Sequence, residues 1–375
     1  MALFIACTLC CQDLAIVYYN QGIDAIERGD TAEAVGYFEK SIAERKTDPD
    51  AHFNLGVALI GVGELERARK EFLVAAETYP DDPALHLNLA EIYKAQGEFQ
   101  SSRTEYEYAL RRAPDLAPAL SGYGQLLLEA ERYEDAELLL VTALSVESSD
   151  PMTQFHMGWL YVRTGRYNEA THYFRRGMRQ EPNSIYGHMG MGTALLMRED
   201  YTESLAEFQK VIALRPTDTT ALVGAAQCNI ALGRHAQAQR SLGRVLETDP
   251  SNAPAHKFRG DIYVFKEKYP WAVGHYRQAV QIRVDYVEAW AALGRALEAA
   301  GIDEEAEAAF QSGLQHDPYN AEILYRLGQL FFERDDVTGA ELFLKEALAA
   351  ANDVRLEQRI RATLKAVQAR KGDER

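Results

Sequence analysis

The chain of 375 residues is 47% hydrophobic and 26% charged, a composition that can bury ample apolar surface and excludes a disordered protein. Its 40 basic and 56 acidic residues leave a net charge of −16, which repels phosphate backbones and argues against a general nucleic-acid role, local basic patches aside. Of its four cysteines, Cys7, Cys10 and Cys11 crowd the start and only Cys228 lies beyond, so no disulfide framework spans the chain, and no apolar run reaches the roughly 18 residues of a membrane span.

The first eleven residues are apolar and stand outside any register. Phe4 to Cys7 resemble a bacterial lipoprotein cleavage box, which would make Cys7 a lipidated tether to an envelope membrane, although the basic stretch of such signals is missing. The equal alternative is that residues 1–14 are an apolar extension packing on the first repeat of a cytoplasmic protein. A metal site at Cys7, Cys10 and Cys11 is a third reading, and it lacks the matching histidine or second cysteine pair that zinc needs.

From Ala15 to Val354 a single period governs the chain. Glycine recurs at Gly22, Gly56, Gly124, Gly158, Gly192, Gly260, Gly294 and Gly328, with Ala90 and Ala226 in the two remaining places, and every gap is a multiple of 34. With position 1 at Ala15, that small residue is position 8. Position 20 is always Ala or Ser, from Ala34 to Ala340, and position 24 is always large, as in Phe38, Phe72, Tyr106 and Leu140. Proline at position 32 (Pro80, Pro114, Pro182, Pro216, Pro250, Pro318) and glycine at position 15 (Gly63, Gly97) divide each unit into two helices.

Positions 4, 7, 8 and 11 make one stripe of the first helix, whose small residue at 8 lets another backbone approach, with position 20 as its counterpart. Large side chains at 7, 11 and 24, such as Leu55, Leu59 and Phe72, fill the space around that contact. One such hairpin has too little core to stand alone, so stacking must bury the rest.

These small, large and proline positions resemble the motif of the tetratricopeptide-repeat family, over residues 15–354 in ten repeats without insertion. The resemblance implies an all-α fold, a right-handed superhelical α-solenoid. Residues 355–375, with Leu356, Ile360, Leu364 and Val367 on one face among seven basic residues, are the expected C-terminal capping helix. The resemblance does not select a function, because the family includes chaperone adaptors, secretion and pilus components and enzyme-recruiting domains.

No phosphate-cradling glycine loop, nucleophile elbow or catalytic cysteine–histidine pair is present, so no enzyme activity and no cofactor is expected. His52, His86, His188 and His256 share position 4 and are a whole repeat apart, which makes them packing residues. In the family, positions 2, 5, 9 and 12, with 6 and 13, line a concave groove for a protein or extended peptide. Met152, Phe155 and Trp159 of repeat five and Tyr186 and Met189 of repeat six put apolar groups there, as an exposed partner site would. Asn20, Asn54 and Asn88 share position 6 in the first three repeats and resemble the start of the asparagine ladder in the superhelix of O-linked N-acetylglucosamine transferase, which could grip a peptide backbone. Lys257 and Phe258 complete the candidates. They lie in repeat eight, where Arg259 at position 7 and Val284 in place of proline depart from the pattern, as Asn229 does in repeat seven. A lipid-anchored component of pilus or secretion assembly and a self-associating scaffold are the alternative functions, and the oligomeric state stays open.

Overall fold

The computed structural model describes residues 13–373, and among these every regular element is an α-helix. The readings placed on Cys7, Cys10 and Cys11 lie outside the described residues. The first helices of the ten repeats are α1 (Leu14–Glu27), α3 (Pro49–Gly61), α5 (Pro83–Ala95), α7 (Ala117–Glu129), α9 (Pro151–Arg163), α11 (Ile185–Met197), α13 (Thr219–Ala231), α15 (Ala253–Phe265), α17 (Val287–Ala299) and α19 (Ala321–Glu333). The second helices are α2 (Thr31–Glu44), α4 (Leu65–Thr78), α6 (Phe99–Arg112), α8 (Tyr133–Val146), α10 (Tyr167–Gln180), α12 (Tyr201–Leu214), α14 (His235–Thr248), α16 (Tyr269–Ile282), α18 (Asp303–His316) and α20 (Val337–Ala350), and α21 (Val354–Asp373) follows.

The helix ends have local causes. Asp48, Asp150 and Asp218 cap the helices that follow them, accepting from the amides of Ala51 (3.3 Å), Thr153 (2.6 Å) and Ala221 (2.9 Å). Every first helix is stopped by a left-handed residue at position 15, filled by glycine in six repeats and by Glu131, Glu199, Glu267 and Asp335 in the others. Histidines at position 4 tie neighbouring hairpins together. His52 meets Glu71 at 2.5 Å and the Lys46 carbonyl at 3.0 Å, and His86 meets Glu105 at 2.6 Å and the Pro80 carbonyl at 2.9 Å.

The large residue at position 24 is the centre of each hairpin. Phe38, Phe72, Tyr106, Phe174 and Phe310 are all fully buried. The glycine at position 8 exists for that ring, since a Cβ on Gly56 would stand 2.8 Å from Phe72 and one on Gly158 2.8 Å from Phe174. Position 20 reaches the same place from the other helix. Ser102 Oγ donates to the Ala90 carbonyl at 2.8 Å and Ser204 Oγ to that of Gly192 at 2.7 Å, both buried.

The chain falls into two compact units, residues 1–190 and 191–375, divided within α11. The first unit holds a core around Phe38, Leu59 and Phe72 and another around Tyr106 and Leu126. In the second, Ile360 and Val367 of α21 are fully buried in one core with Leu324, Tyr325 and Leu344 of the last repeat. Asn229, the polar intruder of repeat seven, is also buried, and its Nδ2 donates to the Ala225 carbonyl at 2.9 Å.

Candidate binding face of the first unit

The first-helix face of repeats five and six sorts its predicted anchors by depth. Met152 is exposed, and Trp159, Tyr186 and Met189 are half-buried. Phe155 is not an anchor, because its side chain is 0% exposed. Its ring stands edge-on to Tyr186 at 6.1 Å and stacks on Phe174 at 6.5 Å, in a slot where a Cβ on Gly187 would come within 2.7 Å of it. Glycine at 177 and 187 therefore draws Phe155 into the packing between repeats. Trp159 lies over this layer, edge-on to Phe174 at 5.7 Å and tilted against Tyr186 at 5.8 Å, and its buried Nε1 has no hydrogen-bond partner. Burial first, and Glu129 second, push the Tyr186 hydroxyl well above its ordinary value, so it stays neutral.

The asparagine series is corrected in part. Asn54 spends Nδ2 on the Tyr19 hydroxyl and the Asp50 carbonyl, both at 2.9 Å, so its donors are not available to a peptide. Asn88 donates to the Ala84 carbonyl at 2.8 Å, and Asn20 is exposed. The series stops at Gly122 for a steric reason: a Cβ there would strike the Tyr106 hydroxyl and the Glu91 carboxylate. Lys257 and Phe258 belong to the second unit and to another local arrangement. Lys257 pairs with Asp261 at 2.8 Å and stands 4.8 Å over the Phe258 ring, while Phe258 packs on the core beneath.

Beside the aromatic layer, α5, α7, α9 and the turn before α9 line a cleft of about 290 Å³ that reaches Met152. Lys94 is its cation; it donates to Gln125 Oε1 at 3.0 Å and to the Tyr106 hydroxyl at 3.2 Å and forms an ion pair with Glu91 Oε2 at 2.7 Å. The Tyr106 hydroxyl in turn donates to Glu91. On the opposite wall runs a chain of four side chains. Thr153 Oγ1 lies 2.5 Å from Asp150 Oδ2 and 2.8 Å from Ser121 Oγ, and Ser121 Oγ lies 3.0 Å from His156 Nδ1.

Thr153 Oγ1 has acceptors in both Asp150 and Ser121, and the direction of the Ser121–His156 bond follows the imidazole tautomer. His156 Nε2 is buried without a partner. Burial, and secondarily the charge of Lys94, pull the imidazole down to about 4, which keeps the ring neutral at neutral pH. Sequence reasoning passed over Glu91, Lys94, Ser121, Gln125 and Thr153. The available signal was that position 9 is acidic in both repeats whose position 24 is tyrosine, as Glu91 with Tyr106 and Asp261 with Tyr276, the latter pair bonded at 2.7 Å.

Among the described residues no group of three or more His, Cys, Asp or Glu side chains could hold a metal ion, and no helix is long and apolar enough to cross a membrane. Cys228 is a buried free thiol 3.2 Å from Ser204 Oγ.

Comparison with known proteins agrees with this architecture. Anaphase-promoting complex subunit 3 of Schizosaccharomyces pombe is 21% identical over 213 residues, which cover 56% of this chain and 32% of that protein. DnaJ homolog subfamily C member 7 of Mus musculus is 26% identical over 216 residues, covering 52% of this chain and 42% of that one. The chain thus spans less than half the length of these curated relatives. The solved structure of the human IFIT1 dimer with m7Gppp-AAAA superposes with a TM-score of 0.61 at 18% identity over 97% of this chain and 87% of that one, a likeness of fold alone. Family models described as tetratricopeptide repeat match residues 25–92, 87–148, 155–219, 195–262 and 287–330. With matches along most of the array and the positional chemistry kept in all ten hairpins, the chain belongs to the tetratricopeptide-repeat family.

Proposed function

We propose that this protein is a non-catalytic scaffold that holds an extended segment of a partner protein along the first-helix face of its first unit, with Trp159 and Tyr186 as anchors and Met152 and Met189 beside them. The observation that carries this is the pair of half-buried aromatic side chains over a fully packed layer, one of which keeps an unpartnered indole N–H. Aromatic groups held rigidly from below lose little entropy on binding and dominate interface energies, and methionine adapts to varied apolar partners. The carboxylates of Glu91, Glu147 and Asp150 in the cleft alongside disfavour a polyanion. That one relative carries the name of a subunit of a multiprotein complex supports the same reading.

The test compares two substitutions at neighbouring depths. Trp159→Ala should weaken binding of a captured partner peptide at least tenfold, about 1.4 kcal/mol, while thermal stability falls less than it does in Phe155→Ala. Phe155→Ala removes a fully buried ring and should cost about 3 to 5 kcal/mol of stability. Unchanged affinity in folded Trp159→Ala protein would move the partner surface elsewhere.

A further inference from the structure

In the second unit, repeat eight alters a pairing that earlier repeats carry. Nineteen residues after the position-4 histidine, repeats two and three have a glutamate, so that His52 meets Glu71 at 2.5 Å and His86 meets Glu105 at 2.6 Å, each a tight hydrogen bond with no room for an ion. In repeat eight the same offset brings in a second imidazole. His275 of α16 faces His256 of α15, with their Nδ1 atoms 3.3 Å apart. His256 Nε2 lies 3.1 Å from the Pro250 carbonyl, which only accepts, so the proton of the neutral ring stands on that nitrogen and Nδ1 carries a lone pair. The His275 ring is held flat against Tyr263, at 5.4 Å and 10°. Both histidines are partly exposed, and Trp271, one turn earlier on α16, is 64% exposed.

A separation of 3.3 Å is long for a hydrogen bond between ring nitrogens. It matches two nitrogens on one tetrahedral ion, since ligands at about 2.0–2.1 Å from zinc stand roughly 3.3–3.4 Å apart. We propose that His256 and His275 form an open two-histidine site for a zinc-class divalent cation, which links α15 to α16 through both Nδ1 atoms and leaves its remaining positions to water. Imidazole nitrogen selects zinc, nickel or copper over magnesium or calcium, which take oxygen ligands. The Pro250 carbonyl has the outer role usual for a metal-bound imidazole, accepting a hydrogen bond from the nitrogen that does not ligate. Burial first, then Arg259 and His256, pull the His275 imidazole down to about 4, so at neutral pH it meets the ion with no extra proton to displace. Arg259 is the opposing charge. It occupies position 7, usually apolar in the repeat, and its buried Nε has no partner.

The experiment uses the full chain with Trp159→Phe and Trp290→Phe, so that Trp271 alone reports, and Ni²⁺ as the probe, because it binds imidazole and quenches a nearby indole. Saturable quenching should appear, reversed by a chelator and by excess Zn²⁺, whose closed shell does not quench, and untouched by Mg²⁺. His256→Phe and His275→Phe should each raise the Ni²⁺ midpoint roughly tenfold or more. His275→Glu installs the hydrogen-bonded pair of repeats two and three, in which the ring nitrogen is taken by a proton. It should raise the midpoint as well, and it keeps the test decisive if a phenylalanine variant fails to fold. Arg259→Met should lower the midpoint severalfold by removing the opposing charge. Absence of saturable quenching overturns the site. So does a midpoint that stays unchanged in His275→Glu and in the folded phenylalanine variants, since the Ni²⁺ would then be held by other groups of the chain.

Discussion

His156 shows what a single buried side chain can impose on the molecule. Its imidazole is held at about 4 in the folded chain, by burial first and Lys94 second, against an ordinary value of 6.5. Above pH 6.5 neither the folded nor the unfolded chain protonates it, so stability is intact. As pH falls from 6.5 toward 4 the unfolded chain takes up a proton that the folded chain refuses, and stability is lost, to a total of about 3 kcal/mol below pH 4. With Trp271 and Trp290 changed to phenylalanine, Trp159 fluorescence reports the first unit alone, and its urea midpoint should fall between pH 6.5 and 5, above the range of ordinary carboxylates. His156→Phe should flatten that limb, and an unchanged limb would mean that another group controls it. The residue scale is also where sequence reading reached its limit. Phe155 and Trp159 lie four residues apart on one stripe, so periodicity treats them alike. Their different depths depend on whether Gly177 and Gly187 leave a slot for a ring, a fact held on two other helices.

At the scale of the helix and its turn, most of the structure was legible. Position 24, chosen for size alone, is the buried centre of every hairpin, and position 15, marked by glycine in six repeats, is left-handed in all ten. The four repeats without glycine could not be read, because an acidic residue at that place gives no sign of its backbone. They carry strain instead. Glu267 has φ of +56°, a region that costs an L-residue about 1 to 2 kcal/mol, while glycine enters it freely at some cost in unfolded-state entropy. Glu267→Gly should therefore stabilise repeat eight by about 0.5 to 1 kcal/mol, seen as a raised urea midpoint of Trp271 fluorescence. A lowered midpoint would show that the Glu267 side chain contributes more than the strain removes. The cleft around Lys94 escaped detection at this scale for a related reason. Lys94, Gln125 and Glu91 read as solvated face residues one helix at a time, and become a network only when α5 and α7 are stacked.

At the scale of the array, the unbroken 34-residue period announced ten hairpins, and for the same reason it could not mark the division inside α11, where the register continues without a change. Within the first unit, helices contact their sequence neighbours and the first helices of adjacent repeats, as α5 with α7 and α7 with α9. Stability in such an array is a sum of repeat terms and nearest-neighbour terms, so damage should stay local. Phe174 is the sharpest place to test this, being fully buried between the glycines at 158 and 190 and in contact with the rings of Phe155 and Trp159. Phe174→Ala should cost about 3 to 5 kcal/mol at that site, so amides across residues 151–190 should lose at least about a hundredfold in hydrogen-exchange protection. Amides of residues 14–45, several repeats away in the same unit, should keep theirs. Uniform loss across the first unit would mean that it unfolds as one cooperative block, and the aromatic layer under Trp159 would then set the stability of the whole binding face and not only its local rigidity.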